Sequence, residues 1–189
     1  MNTQTKPGLP TFVVFEGPDG LGITTTSKAL AALLRATYLH LTATPKLIEA
    51  MSDYEWNQLE NISDNLMLGN NVVVDRLLDS EYVYAQALRN AEPDDAVNPD
   101  LFDEMFSMNP IVVFVMRDDV DDAVQLHDAN TDPAHPYNKD EYRKVYAGYE
   151  ERLAEYPDCA KAIRFVVDFD KDPQHEAKRL LRLILKSPI

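Results

Sequence analysis

The run Phe12 to Thr26, FVVFEGPDGLGITTT, constrains this chain more than any other stretch. Phe12 to Phe15, with β-branched Val13 and Val14, read as a strand buried on both faces, the pattern of a parallel sheet. Gly17, Gly20 and Gly22 then break the chain before an alanine- and leucine-rich helix. Glycines so placed let the backbone turn sharply and bring a row of N–H groups close to a ligand, and the helix dipole favours negative charge there. The ligand that suits this geometry is a phosphate chain. Gly17, Gly22 and Thr24 satisfy the pattern G-x-x-x-x-G-K-[ST], except that Ile23 stands at its lysine position.

The rest of the chain repeats the strand-then-helix alternation. Thr24 to Ala36 reads as a helix with Leu30, Leu33 and Leu34 as its buried stripe, and Tyr38 to Leu41 as a short strand. Pro45 can start a helix over Lys46 to Leu68, with a break near Ser52-Asp53 and an end at Gly69-Asn70. Asn71 to Asp75 is a strand ending in an acid, followed at once by Arg76. A carboxylate at such a strand end sits in the crevice where doubly wound sheets bind ligands. Ser80 can cap a helix to about Asn90, Glu92 to Asn98 is an acidic loop, and Pro99 to Met108 is a short helix. Ile111 to Met116 and Arg164 to Asp168 are the fourth and fifth strands. Between them Asp118 to Asp122 opens a helix, Asp128 to Asn138 interrupts it as a loop, and Lys139 to Tyr156 resumes it. Asp172 to Lys186 is amphipathic, with Leu180, Leu183 and Ile184 inward. The alternation predicts an α/β fold, one five-stranded parallel sheet covered on both faces, in a single domain over residues 1–189 with a loose tail over 1–10.

Composition narrows the function. A net charge of −14 repels nucleic acid unless positive charge is concentrated locally, so duplex DNA is not an expected partner. No apolar run approaches the roughly 20 residues that span a bilayer, and no basic, apolar leader opens the sequence, so neither membrane nor export is expected and the cytoplasm is. One cysteine, Cys159, forms no internal disulfide and no cysteine-rich metal site.

Two motifs in order, FEGPDGLGITT and VVVDRLLDSEYVY, resemble those of the thymidylate kinase family of nucleoside monophosphate kinases. The first is similar to the family's F-E-G-x-D-G-x-G-K-T-T and the second to its D-R-x-x-x-S-x-x-A-Y. A phage-encoded branch with D-R-x-x-x-S-E-Y-V-Y is closer still, which would place the protein in a host cytoplasm. The resemblance implies a three-layer P-loop kinase fold, ATP and magnesium as cofactors, a nucleotide acceptor, most specifically dTMP, and a homodimer. It implies that Gly17, Gly20, Leu21, Gly22, Ile23, Thr24 and Thr25 form the ATP loop: backbone N–H groups of Gly20 to Thr24 on the β-phosphate, Thr25 at the α-phosphate, and the Thr24 hydroxyl on magnesium. It further implies that Asp75 holds magnesium through water and that Arg76 binds the acceptor phosphate or the transferring group. Asp19 would touch the acceptor's 3′-hydroxyl, Glu16 would steady the loop, and Ser80 and Tyr84 would line the acceptor pocket. Trp56 is the candidate for stacking on the base by position alone, although burial in the core is the commoner fate of such a residue.

The family also brings an arginine to the transferred phosphoryl from the loop or from a lid, here residues 117–141. Asp118 to Asn138 contains no lysine or arginine, and only Arg117, Lys139, Arg143 and Lys144 flank it. Arg143 is the candidate for that role, against the ordinary reading of a solvated side chain. An arginine of this kind accounts for roughly 10³ to 10⁵ in rate. Three accounts of Ile23 stand side by side: a nucleotide-binding protein without transfer activity; replacement of the cation by Lys28, Lys46 or Arg143; or a deliberate inactivating substitution. Kinases on a deoxynucleoside or a modified pyrimidine nucleotide are the alternative enzymes. Tyr142, Tyr146 and Tyr149 have helical spacing and read as packing, and His127 and His135 read as surface residues.

Overall fold

A computed structural model describes residues 10–41, 51–92, 97–130, 138–156 and 161–186. The expected tail over 1–9, the helix start at Pro45 with Lys46, the prolines and His135 of the 131–137 loop, and Cys159 lie outside the described residues.

Five strands form one parallel sheet in the order β2-β3-β1-β4-β5. They are β1 Phe12–Glu16, β2 Thr37–His40, β3 Val72–Asp75, β4 Ile111–Val115 and β5 Lys161–Phe165. Of the central three, β1 and β3 are buried throughout and β4 is buried from Val112 on, as continuous apolar runs in a parallel sheet must be. The helices are α1 Ile23–Leu34, α2 Met51–Met67, α3 Leu78–Arg89, α4 Pro99–Ser107, α5 Val120–Asn130, α6 Lys139–Ala154 and α7 Pro173–Lys186. The β1-to-β2 crossover runs one way along the sheet and the later crossovers run the other way. With right-handed connections, that puts α1 on one face and α2 to α6 on the opposite face. The packing agrees: α1 lies against α7, α3 against α6, and α2 against α4.

Local chemistry sets the boundaries. Gly69, at φ +81, closes α2 by donating to the Leu66 carbonyl at 2.9 Å. Asn98 caps α4, and Asn138 with Glu141 forms a complete capping box on α6.

Five expectations are corrected. The helix of Met51–Met67 runs unbroken through Ser52-Asp53. Ser80 is not the cap of α3, which begins at Leu78, because its hydroxyl is held by the Glu16 carboxylate and Tyr149. The fifth strand ends at Phe165 rather than Asp168, since the carbonyls of Val166 and Val167 are taken by the Arg179 and Arg117 side chains instead of a neighbouring strand. Leu183 is 37% exposed, and the inward face of α7 is Ala177, Leu180 and Ile184. His127 is only 6% exposed, stacked on Tyr142 with ring centroids 4.3 Å apart.

Candidate functional site

The glycine loop joins β1 to α1 at the carboxyl end of the sheet. Gly17, Gly20 and Gly22 all have positive φ, at 141°, 82° and 86°. Two of them are also places of close approach. A Cβ on Gly17 would stand 2.4 Å from the Val115 carbonyl oxygen, and one on Gly20 would stand 2.8 Å from the Cα of His127. The loop is therefore packed between β4 and α5 as well as turned, and side chains at either point would push backbone aside.

A cavity of about 750 Å³ opens beside this loop. Gly20, Gly22, Ile23, Thr24 and Thr25 line one wall, and His40 and Leu41 follow from the end of β2. Arg76, Leu77, Ser80 and Tyr84 enter from the end of β3 and from α3, and Asp19 from the loop itself. Glu55 of α2, with Glu81 and Arg89 of α3, closes the far side. Phe169, beyond β5, lies over the loop, where its ring would be 3.4 Å from a Cβ on Gly22.

The polar groups are already engaged with one another. Arg76, held at φ +69 where β3 ends, donates to Asp19 Oδ1 at 2.5 Å, and Tyr84 donates to Asp19 Oδ2 at 2.9 Å. Tyr142 reaches the Asp19 carbonyl at 3.1 Å. Burial works against the Arg76 charge, but Tyr84, Asp19, Tyr149 and Glu16 more than offset it, so the guanidinium stays charged. Beneath the loop, Glu16 is fully buried and accepts from the Leu77 N–H at 2.8 Å and from Ser80. Burial, then the charge of Asp79, pushes its carboxyl up to about 8. Glu55 is pushed up to about 7, by burial first and then by Glu81, whose carboxylate pairs with Arg89.

Asp75 ends β3 in register with Phe15 of β1 and His40 of β2. Its Oδ2 accepts from the Tyr38 hydroxyl at 2.8 Å, and His40 Nδ1 lies 2.9 Å from the same oxygen. Its Oδ1 is buried and has no hydrogen-bond partner among the described residues. Burial and then the bond to Asp75 raise the Tyr38 phenol, which keeps it the donor.

Of the residues singled out from sequence, the structure brings Asp19, Gly20, Gly22, Ile23, Thr24, Thr25, Arg76, Ser80 and Tyr84 to one cavity. Glu16 and Leu21 are buried behind the wall. Ile23 does more than replace a lysine: it is 4% exposed and its Cδ1 would lie 3.4 Å from a Cβ on Gly17, so it joins the core under the loop. Trp56 is 39% exposed and is not among the residues that line the cavity. Arg143 is not brought to it either. It pairs with Asp121 at 2.9 Å and Asp140 at 3.4 Å on the surface of α6, because the acidic first turns of α5 and α6 stand nearer. Lys28 lies 5.7 Å from the centre of the Tyr38 ring rather than in the cavity wall. Sequence reasoning missed Tyr38, His40, Glu55, Glu81, Arg89 and Phe169. The second motif carried a signal for one of these, since Glu81 follows Ser80 within it; Arg89 lies two helical turns further along the same helix, beyond the motif.

This topology has counterparts among solved structures. The YorR protein of Bacillus subtilis, solved in complex with phosphorylated GDP, matches over 93% of this chain and 96% of its own, with a TM-score of 0.67 and 17% identity. The fold is shared with a deoxyadenosine kinase. That enzyme, from M. mycoides with products dCMP and a flexible dCDP bound, matches over 93% of this chain and 98% of its own, with a TM-score of 0.54 and 14% identity. No family model and no curated protein matches the sequence. The three-layer α/β architecture expected from the alternation is thus the observed one.

Proposed function

We propose that the chain is a nucleotide kinase that moves the γ-phosphoryl of ATP to the phosphate of a deoxynucleoside monophosphate, with dTMP the acceptor that the motifs favour. The observation that carries this reading is the single cavity shared by the glycine loop, at the start of α1, and Arg76, at the end of β3. The two solved relatives, one bound to phosphorylated GDP and one a deoxyadenosine kinase, support it.

An acceptor phosphate oxygen forms the new bond to the γ-phosphorus as the bond to the β–γ bridging oxygen breaks, and ADP leaves. Catalysis of this kind rests on positioning and on charge neutralisation. Backbone N–H groups of Gly20 to Thr24 cradle the phosphates, and Phe169 offers an apolar face beside the loop. Arg76 turns from Asp19 to the acceptor phosphate, and Asp19, released, accepts from the sugar hydroxyl. Glu55, Glu81 and Arg89 face the acceptor end, where a carboxyl near neutrality and an acid–arginine pair can read hydrogen bonds of a base. Among the described residues no group of three or more His, Cys, Asp or Glu forms a cation cage. Magnesium at phosphates keeps several waters and needs only one or two carboxylates; Asp75, whose buried Oδ1 has no partner among the described residues, and the Thr24 hydroxyl of the cavity wall are the groups that would hold it. Bound there, it supplies the charge neutralisation that Ile23 does not.

A second reading, nucleotide binding without transfer, is favoured by one observation: both arginines of the cavity wall are paired with acids of the same wall. A coupled assay of ADP release across the common deoxynucleoside monophosphates and deoxynucleosides, on this chain and on Ile23→Lys, separates the readings. ADP from the unaltered chain with a monophosphate is the expected result. ADP only from the lysine form selects the second reading, and none from either removes the kinase.

A further inference from the structure

The loading of Asp75 is lopsided in a way that the proposed function does not require. The Tyr38 hydroxyl donates to Oδ2 at 2.8 Å and His40 Nδ1 lies 2.9 Å from the same oxygen, while the buried Oδ1 takes no hydrogen bond among the described residues. A buried carboxylate oxygen without a partner is costly, and a carboxylate that serves only packing would share its donors between its oxygens. The two residues stand at i and i+2 on β2, so they project from the same face of that strand towards the neighbouring end of β3. A hydrogen bond from Tyr38 and the close imidazole of His40, both on one oxygen, set the rotation of the carboxylate and thereby fix where the other oxygen points. His40 and Arg76, the residues in register with Asp75 and next to it in sequence, line the cavity, and Asp75 is buried directly behind them.

We propose that Tyr38 and His40 are positioning residues that hold Asp75 by one oxygen so that the other receives a hydrated divalent cation of the magnesium class at the phosphate site. Their role is exerted through Asp75. The inference rests on the reading of Asp75 as the cation-holding residue. It gives that residue more weight than in a lysine-bearing loop, because the cation here works without the lysine. Outer partners that orient a metal-holding group are typically worth about 10- to 100-fold in metal affinity.

The test is titration of Mn²⁺, followed by the electron paramagnetic resonance of free Mn²⁺, into the full chain with excess ADP. The parent is compared with Tyr38→Phe, His40→Ala, the double variant and Asp75→Asn, and ADP affinity of each is measured separately in EDTA. The expected result is a rise of about tenfold in Mn²⁺ Kd for each single variant, about 100-fold for the double variant, and unchanged ADP affinity in EDTA. Thermal unfolding midpoints identify any variant that has lost its fold, and Tyr38→Phe, which keeps the ring, carries the test in that case. A double variant within twofold of the parent, while Asp75→Asn weakens Mn²⁺, overturns the positioning role and leaves Asp75 in place. Mn²⁺ affinity unchanged in Asp75→Asn overturns the cation reading and this inference with it.

Discussion

Replacing Ile23 by lysine should move stability and nucleotide affinity in opposite directions. Ile23 is 4% exposed at the first position of α1 and packs under the loop towards Gly17. Burying an isoleucine contributes about 1.5–3 kcal/mol. Lysine keeps part of this through its stem, because residue 23 also lines the cavity and its ammonium has an exit there. The net loss should be about 2 kcal/mol, which for a chain of this length lowers the unfolding midpoint by roughly 4–8 °C. Against this, a charge-assisted hydrogen bond to a phosphate contributes about 1.5–3 kcal/mol, or roughly 10- to 150-fold in ATP affinity. Thermal unfolding with and without Mg·ATP, together with calorimetric titration, reads both terms. The substituted protein should melt lower when free and gain more from ATP than the parent does. An unchanged midpoint would refute the packing of Ile23, and an unchanged ATP affinity would refute the loop as the phosphate site.

Gly20→Ala and Gly22→Ala both impose a left-handed residue, at about 1–2 kcal/mol each, but only the first drives a Cβ to 2.8 Å from backbone. Urea unfolding should show Gly20→Ala as the more destabilised, and equal losses would contradict the docking of α5 on the loop. Arg152 donates to the fully buried Asp79 at 2.5 Å and lies over Phe102, its guanidinium carbon 4.5 Å from the ring centroid. Arg152→Ala should therefore cost about 3–5 kcal/mol, and Asp79→Asn in the same chain should recover part of it. Glu16 binds its proton more tightly in the folded chain, with its carboxyl up at about 8 from 4.5 through burial and then the charge of Asp79. Its contribution is fully present below pH 4.5 and is lost as pH rises through 8, with a slope of up to about 1.4 kcal/mol per pH unit. Urea midpoints from pH 5 to 8 should fall less steeply in Glu16→Gln, and an identical slope would exclude the buried proton.

The parts of the fold legible in the sequence were those set by local pattern. The apolar runs around Val13, Val73 and Val113 specify buried strands wherever they sit, and the glycines at 17, 20 and 22 need positive φ that no other residue adopts cheaply. Asp75-Arg76 was legible because a strand end is a fixed place in an α/β sheet. The rest depends on which elements meet. The end of β5 depends on arginines from α7 and from the loop after β4, and His127 is buried because Tyr142 of another helix arrives beside it. Glu55, Glu81 and Arg89 converge across two helices whose contact no spacing reveals. Arg143 failed to reach the site for the same reason: Asp121, 22 residues earlier in the chain, stands nearer in space.

The most direct test of the account is transfer of label from γ-³²P-ATP with magnesium and dTMP, with products separated by chromatography. The account predicts labelled dTDP from the unaltered chain, none in EDTA, and faster appearance with Ile23→Lys. Label that remains in ATP with both proteins at stoichiometric concentration would contradict it.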